Sequence, residues 1–596
     1  MEECVIKKIR NYIFIFIGVF FFSANICYNL TNIIENDFVL SWNINIFYSF
    51  IKLKDLNLLF GTLLLFTLMC LIILRYDTDI KLLLKRSNKM PDEDGSFEYG
   101  SSRWTTEKEI KDRFKVWNIG KPIKNGGIPV TFIGDKLYYD DSFDHTLIIG
   151  STGSGKTVST IMPLIFNLAN AGESMVINDT KGELYSTTSE YLRKFGYNIK
   201  IINLRDALAS DGWNPLHLPY KYFKDGDIDE AGDMIENFAK SLTKNLSSKD
   251  MYWEKSATAV LTALCYALIE DAPCEEQVNL YSIYNLLVEH GAKTIDRFNS
   301  LDLYFKQKPT GTLSKMAYAT GSFAKGETRA TLFSVIATVL KMFSDTGIAN
   351  MTSRTDFELE DIGKNKTAVF LIIPDEKESR HELATLFIHQ CYQACVYHAQ
   401  SLCSGSLPIR VNFILDEFAN MPPIPAMSNK ITVSRSRNMR FYLVLQDFDQ
   451  LKETYKEQAG TIKSNCTNWI YLLTSDNETA REISARLGKY TISSSRVSTS
   501  TRLEQTDINI SNDKSLMGRE LIMPDELMRF KFGDGLFLKA RMHPIKSKYK
   551  PFFEYGLNIK KVELPNKRKE FKIQYFDLDE FRKLKLKGNQ DLVDLE

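Results

Sequence analysis

The alternation of apolar and polar positions divides the chain into stretches of different kind. Residues 12–28 (YIFIFIGVFFFSANICY) form an apolar run without a charge, and residues 56–74 (LNLLFGTLLLFTLMCLIIL) form a second of a length suited to a bilayer core. Residues 87–99 (SNKMPDEDGSFEY) read as a polar linker. From residue 128 onward, short apolar runs alternate with segments of helical period. His145–Ile149 reads as a strand, Val158 to about Ala169 as a helix, Ser174–Asp179 as a strand. A helix to about Phe195 and a strand at Ile199–Asn203 follow. Between 222 and about 340 the strand-like runs disappear, and helical periodicity dominates in Ala257–Ile269, Leu280–His290 and Ala330–Phe343. The alternation then returns, with strands at Ala368–Ile373, 409–415, Arg440–Leu445 and Trp469–Leu473. Helices at 378–400, 425–437, 449–463 and 477–487 lie between and after them. This predicts an α/β fold, a mostly parallel sheet with helices on both faces, carrying an all-helical insertion. Ser493–Thr501 with Ser511–Asp513 reads as a polar, mobile loop. The Lys-rich stretch from Lys560 on reads as a solvated terminus or a docking arm.

Charge changes this picture in two places. Lys7, Lys8 and Arg10 precede the first apolar run, and Arg75, Lys81, Lys85, Arg86 and Lys89 follow the second. The loop between them carries only Lys52 and Lys54 against Glu35, Asp37 and Asp55. The positive-inside rule then places both ends of a two-span anchor in the cytoplasm, with the large C-terminal part there as well. No small-residue cleavage site follows the first run, so it reads as a span rather than a signal peptide. Over the whole chain 75 Lys+Arg nearly cancel 74 Asp+Glu, so any nucleic-acid contact must come from local patches. A length of 596 residues exceeds what one core usually supports. Nine scattered cysteines without C-x-x-C pairs read as reduced thiols. His389, Cys391, Cys395 and His398 suggest a metal site by spacing, but Phe387, Ile388 and Val396 make that segment a core helix.

The chemistry concentrates after the strand at His145. Gly150-Ser151-Thr152-Gly153-Ser154-Gly155-Lys156-Thr157 matches G-x-x-x-x-G-K-[ST] at every specified position, between a strand and a helix. Gly150, Gly153 and Gly155 are expected to turn the backbone with positive φ, so that successive N–H groups face an anion. Lys156 is expected to reach the β- and γ-phosphates of ATP, and the Thr157 hydroxyl to ligate Mg²⁺. Two strands end in carboxylates: Ser174–Asp179, and Ile409–Glu417, the stronger candidate because it ends in an Asp-Glu pair. Asp416 would hold the Mg²⁺ and Glu417 would polarise the attacking water. Gln446, at the end of the Arg440–Leu445 strand, is positioned to sense the γ-phosphate. The expected division is an anchor at 1–86, a nucleotide-binding domain at 87–221 and 341–559, the helical insertion at 222–340, and the charged tail at 560–596.

The ordered set of motifs resembles the type IV coupling proteins of conjugation, the TraG/TraD-like family. It comprises the two spans, Gly100-Ser101-Ser102-Arg103-Trp104, the loop Gly150–Thr157 and Asn178-Asp179-Thr180-Lys181-Gly182-Glu183-Leu184. Trp213-Asn214-Pro215-Leu216, Trp253-Glu254-Lys255, Leu415-Asp416-Glu417-Phe418, Gln446 and Pro524-Asp525-Glu526-Leu527 complete it. Thr180 departs from the proline more common there, which puts any specific role of Asp179 in doubt. The resemblance implies a RecA-like motor ATPase with an all-helical insertion, anchored in the cell membrane and assembled as a homohexamer. It further implies recruitment of a relaxase bound to single-stranded DNA, with accessory proteins, and delivery to type IV secretion channel subunits. The segment Ser434–Arg440 lies, as in the family, near the subunit edge, where an arginine could complete a neighbour's site. Arg437 is favoured over Arg435 because it is nearer the turn into the next strand. Two other readings share the motor chemistry: an FtsK-like chromosomal translocase, and an ATP-gated cargo receptor with little translocation.

Overall fold

The computed structural model describes residues 2–35, 59–70, 92–93, 97–244, 251–295, 298–321, 327–374, 376, 378–500 and 509–593. Nine strands form the central sheet: β1 (Thr146–Gly150), β2 (Ser174–Asp179), β3 (Asn198–Asn203), β4 (Thr367–Ile372), β5 (Val411–Leu415), β6 (Met439–Leu445), β7 (Asn468–Leu473), β8 (Asp534–Lys539) and β9 (Ile545–Lys548). Their order across the sheet is β9-β8-β7-β1-β6-β5-β2-β4-β3. The strands from β7 to β3 in that order run parallel, and β8 and β9 are antiparallel additions at one edge.

The strands are apolar at nearly every position because both faces are covered. Side chains alternate between two cores, as the period of two requires. Leu147, Ile149, Val369, Leu371, Phe413 and Leu443 belong to one. Ile148, Phe370, Ile372, Ile414, Tyr442 and Val444 belong to the other. The first core runs without a break into the helices between β3 and β4, from His217–Lys224 to Thr346–Thr352. Trp213-Asn214-Pro215 secures that join. The Trp213 indole donates to Gln390 Oε1 (2.9 Å), Gln390 Nε2 donates to the Pro215 carbonyl (2.7 Å), and Asn214 Nδ2 donates to the Val278 carbonyl (2.7 Å).

Several sequence expectations need correction. The stretch between β3 and β4 is not wholly helical, because Thr294–Ile295 pairs antiparallel with Phe298–Asn299. The helix expected at 449–463 is two, Phe448–Tyr455 and Gln458–Asn465, broken where Lys456 takes a left-handed φ of 49°. The polar loop expected at Ser493–Thr501 with Ser511–Asp513 falls instead, Thr501 lying outside the described residues, on the strands Lys489–Ser500 and Asn509–Glu520, in a three-stranded sheet with Asp92–Glu93. Backbone pairing there uses β-branched Thr, Val and Ile without an apolar stripe to signal it. The segment from Lys560 is not a free tail. The Val562 N–H donates to the Ser186 carbonyl (2.9 Å), the Lys569 N–H to Leu208 (2.9 Å), and Asn279 Nδ2 to the Gln574 carbonyl (2.8 Å). It therefore straps the sheet layer to the helices, ending in buried Phe576 and Leu578 and the helix Leu578–Val593.

At the N-terminus, Glu2–Glu35 is one helix, and Ile17–Ile34 within it is long and apolar enough to cross a bilayer. The second expected span is described only over Leu59–Cys70, a shorter apolar helix, and its remaining residues lie outside those described. The Phe20 and Phe66 rings meet edge-on at 5.4 Å. By contact the chain divides into two units, residues 1–96 with 491–517, and residues 97–490 with 518–596.

Candidate functional site

The site lies at the carboxyl edge of the sheet, where β1 is flanked by β6 and β7. The chain leaves β1 for β2, and that crossover opens a crevice above the strand ends. The loop after β1 enters a helix running Lys156–Ile161 in π form and then Met162–Ala171 in α form. Gly153 (φ 81°) and Gly155 (φ 89°) turn left-handed as expected, but Gly150 does not. Gly150 is required for space instead, since a Cβ there would stand 2.5 Å from Ser154 Oγ and 2.9 Å from Lys156 Cγ.

A cavity of about 280 Å³ opens over this loop. Ser151, Thr152, Gly153, Gly155, Lys156 and Thr157 form its floor, and Asp416 and Glu417 form a wall. Register explains the meeting: Leu415 pairs with Leu443 and Leu445 with Ile149, so all three strands end together. The Lys156 ammonium donates to the Gly150 carbonyl. Burial lowers its pKa, opposed by the nearby Asp416 and Glu417 carboxylates. Burial pushes the Asp416 carboxyl up to about 7, with Lys156 opposing and Glu417 adding to the shift. Asn178 Nδ2 donates to the Asp416 carbonyl (2.6 Å), and Asp416 Oδ1 accepts from the Glu417 N–H (3.0 Å).

Glu417 has a left-handed φ of 52°, a conformation a non-glycine residue adopts at a cost of order 1 kcal/mol. That turn takes its side chain out of the strand direction and into the crevice. Asn420 Nδ2 donates to Glu417 Oε2 (3.0 Å), orienting the carboxylate. Glu417 also lines a second, larger cavity of about 1020 Å³ beneath the Met421–Ala426 loop. The smaller cavity is the chemical one, since it alone holds the phosphate loop.

Asp179 does a structural job. Its Oδ1 accepts from the Gly182 N–H and its Oδ2 from the Tyr185 N–H, both at 2.8 Å, which caps the helix Glu183–Lys194. Burial pushes its carboxyl up to about 6 against those bonds. Gln446 directly follows β6 and is half-buried, and it is not among the residues that line the cavity. Its neighbour Asp447 is close enough to act on the Lys156 charge. Arg435 and Arg437 lie on the turn Ser434–Arg437 that precedes β6, at the opposite edge of the sheet. The seven residues of β6 put them roughly 20 Å from the phosphate loop, so neither reaches this chain's own cavity. Arg437 Nη1 donates to the Val433 carbonyl (3.4 Å), whereas Arg435 is 62% exposed and 3.5 Å from Asp144.

The donor set fits a polyphosphate. The N–H groups of Thr152, Gly153 and Gly155 find no acceptor among the described residues. Ser154 Oγ is buried without a partner beside them. Thr157 and Asp416 line the same cavity, and a hydroxyl and a carboxylate are the hard oxygen ligands a magnesium ion takes. Sequence reasoning missed Asn420, Arg205 and Phe532, and it named Asn178 in a motif without assigning it a role. Arg205 Nη2 donates to the Thr180 carbonyl (2.8 Å) and holds the Lys181 loop against the cavity. Only Asn420, one helical turn after Glu417, had a local spacing that could have suggested its role.

The family model described as "Type IV secretory system Conjugative DNA transfer" matches residues 100–582. The chain is 24% identical over 475 residues to the conjugal transfer protein TraG of Escherichia coli, covering 72% of this chain and 71% of that protein. Among solved structures, the bacterial conjugative coupling protein TrwB, in an unbound form, superposes with a TM-score of 0.54 at 17% identity, covering 80% of this chain and 99% of that one. TrwB in complex with ADP and Mg²⁺ gives 0.52 at 16% identity, covering 76% and 97%. The shared architecture is the RecA-like P-loop fold.

Proposed function

The chain belongs to the type IV secretory system conjugative DNA transfer family, and on that premise we propose that it is a membrane-anchored ATPase that drives a relaxase-bound DNA strand into a secretion channel. The observation that carries this reading is the convergence of Lys156, Thr157, Asp416 and Glu417 on one cavity at the sheet edge. TrwB, of the same fold, holds ADP and Mg²⁺. In this chain the unpaired N–H groups of the loop would bind the phosphates and Lys156 would leave the Gly150 carbonyl for the β- and γ-oxygens. Thr157 and Asp416 would hold Mg²⁺, which supplies charge that offsets the negative phosphate oxygens. Glu417, oriented by Asn420, takes the water proton as general base. Gln446, at the carboxyl end of β6, would report the γ-phosphate state.

An arginine of the Ser434–Arg437 turn, Arg437 in this reading with the more exposed Arg435 as its neighbour, would act on the site of an adjacent subunit in a homohexamer. The helix Glu2–Glu35 with the run at 56–74 forms the anchor, and the helices between β3 and β4 form the inserted domain. Steady-state ATP turnover of the full chain with and without single-stranded DNA tests the motor reading. DNA-stimulated turnover is expected. Nucleotide binding with turnover indifferent to DNA would favour a gated receptor and overturn the motor.

A further inference from the structure

One residue of the cavity is unlike the rest. Phe532 is 60% exposed, yet it stands directly over the phosphate loop, where a Cβ on Gly155 would lie 2.7 Å from Phe532 Cε2. A tight turn holds it there. The Asp534 N–H donates to the Lys531 carbonyl (2.9 Å), and Gly533 takes the left-handed φ of 84° that the third position of a type II turn requires. The Tyr549 N–H donates to the Gly533 carbonyl (2.8 Å), pinning the turn to a buried tyrosine. The nearby Phe530 packs against Tyr471 at 5.8 Å, whereas the Phe532 ring has no aromatic partner among the described residues.

Resting on the nucleotide reading above, we infer that Phe532 is the platform on which the nucleotide base stacks. A nucleoside triphosphate carries a charged chain at one end and a flat aromatic base at the other. The loop and carboxylates answer the chain, and Phe532 is the one aromatic face in the cavity lining. A fixed ring costs little ordering on binding, and stacking asks nothing of the donor–acceptor pattern of the base. Phe532 therefore adds affinity without choosing between adenine and guanine.

Titration calorimetry on the full chain in detergent, with Mg²⁺, decides it using three ligands: ATP, GTP and inorganic tripolyphosphate, which has no base. Phe532→Ala is expected to weaken ATP and GTP alike by about 5- to 150-fold and leave tripolyphosphate unchanged. Phe532→Trp is expected to keep both nucleotides near the wild-type affinity. Equal loss of tripolyphosphate in Phe532→Ala would assign the ring to propping the Gly155 turn and overturn the inference. Unchanged ATP affinity would overturn it as well. A wild-type chain that binds ATP no more tightly than tripolyphosphate contradicts the inference alone, while one that binds no ATP contradicts the nucleotide reading and the inference together.

Discussion

At the scale of single residues, the site depends on side chains whose partners the fold brings from far along the chain. His145, immediately before β1, illustrates how a buried titratable group ties stability to pH. The Phe441 N–H donates to its Nδ1 at 3.0 Å, which requires that nitrogen to be unprotonated. Burial brings the imidazole down to about 4 from 6.5. A depressed folded pKa contributes stability that is present above 6.5 and lost as pH falls toward 4. The loss is on the order of 3 kcal/mol across that window if His145 acts alone. Thermal unfolding between pH 7 and pH 4.5 should fall less steeply in His145→Gln than in wild type, and parallel curves would contradict the assignment. Residue identity was legible in the sequence where a motif carried it, as at Lys156 and the Asp416-Glu417 pair. It was not legible at Phe532, because nothing local relates a turn after residue 530 to a loop at residue 155.

At the scale of elements, the buried strands were readable because covering both faces demands unbroken apolar runs. Two other elements were misread for the opposite reason. The strands Lys489–Ser500 and Asn509–Glu520 pair through their backbone and lack an apolar stripe. The strap after Lys560 uses widely spaced contacts at Val562, Leu564, Phe571, Phe576 and Leu578, so no period betrays it. Phe576 is the anchor of that strap at 2% exposure, and its N–H donates to Ser282 Oγ at 3.0 Å. Phe576→Ala should cost about 3 kcal/mol locally. Hydrogen exchange should then quicken across Leu280–His290 while the β1 and β6 amides stay protected. Uniform exchange over both regions would mean that the strap is not what fastens those helices.

At the scale of the whole molecule, hydrolysis is expected to depend on assembly, because both candidate arginines sit at the sheet edge away from their own cavity. Lys156→Ala and Arg437→Ala chains, each inactive alone, should recover turnover when mixed, since each keeps one intact half of a shared site. If mixed rings of confirmed assembly stay inactive while an Arg435→Ala mixture recovers, the role belongs to Arg435. The most direct test of the account as a whole separates binding from chemistry at the cavity itself. ATP affinity and steady-state turnover should be measured side by side for the full-length wild type, Lys156→Ala and Glu417→Gln. Glu417→Gln is expected to bind ATP within a few-fold of wild type while its turnover falls by about 10²-fold or more, and Lys156→Ala is expected to lose both. Wild-type turnover in Glu417→Gln would contradict this, because the carboxylate at the end of β5 would then not be the one that activates water.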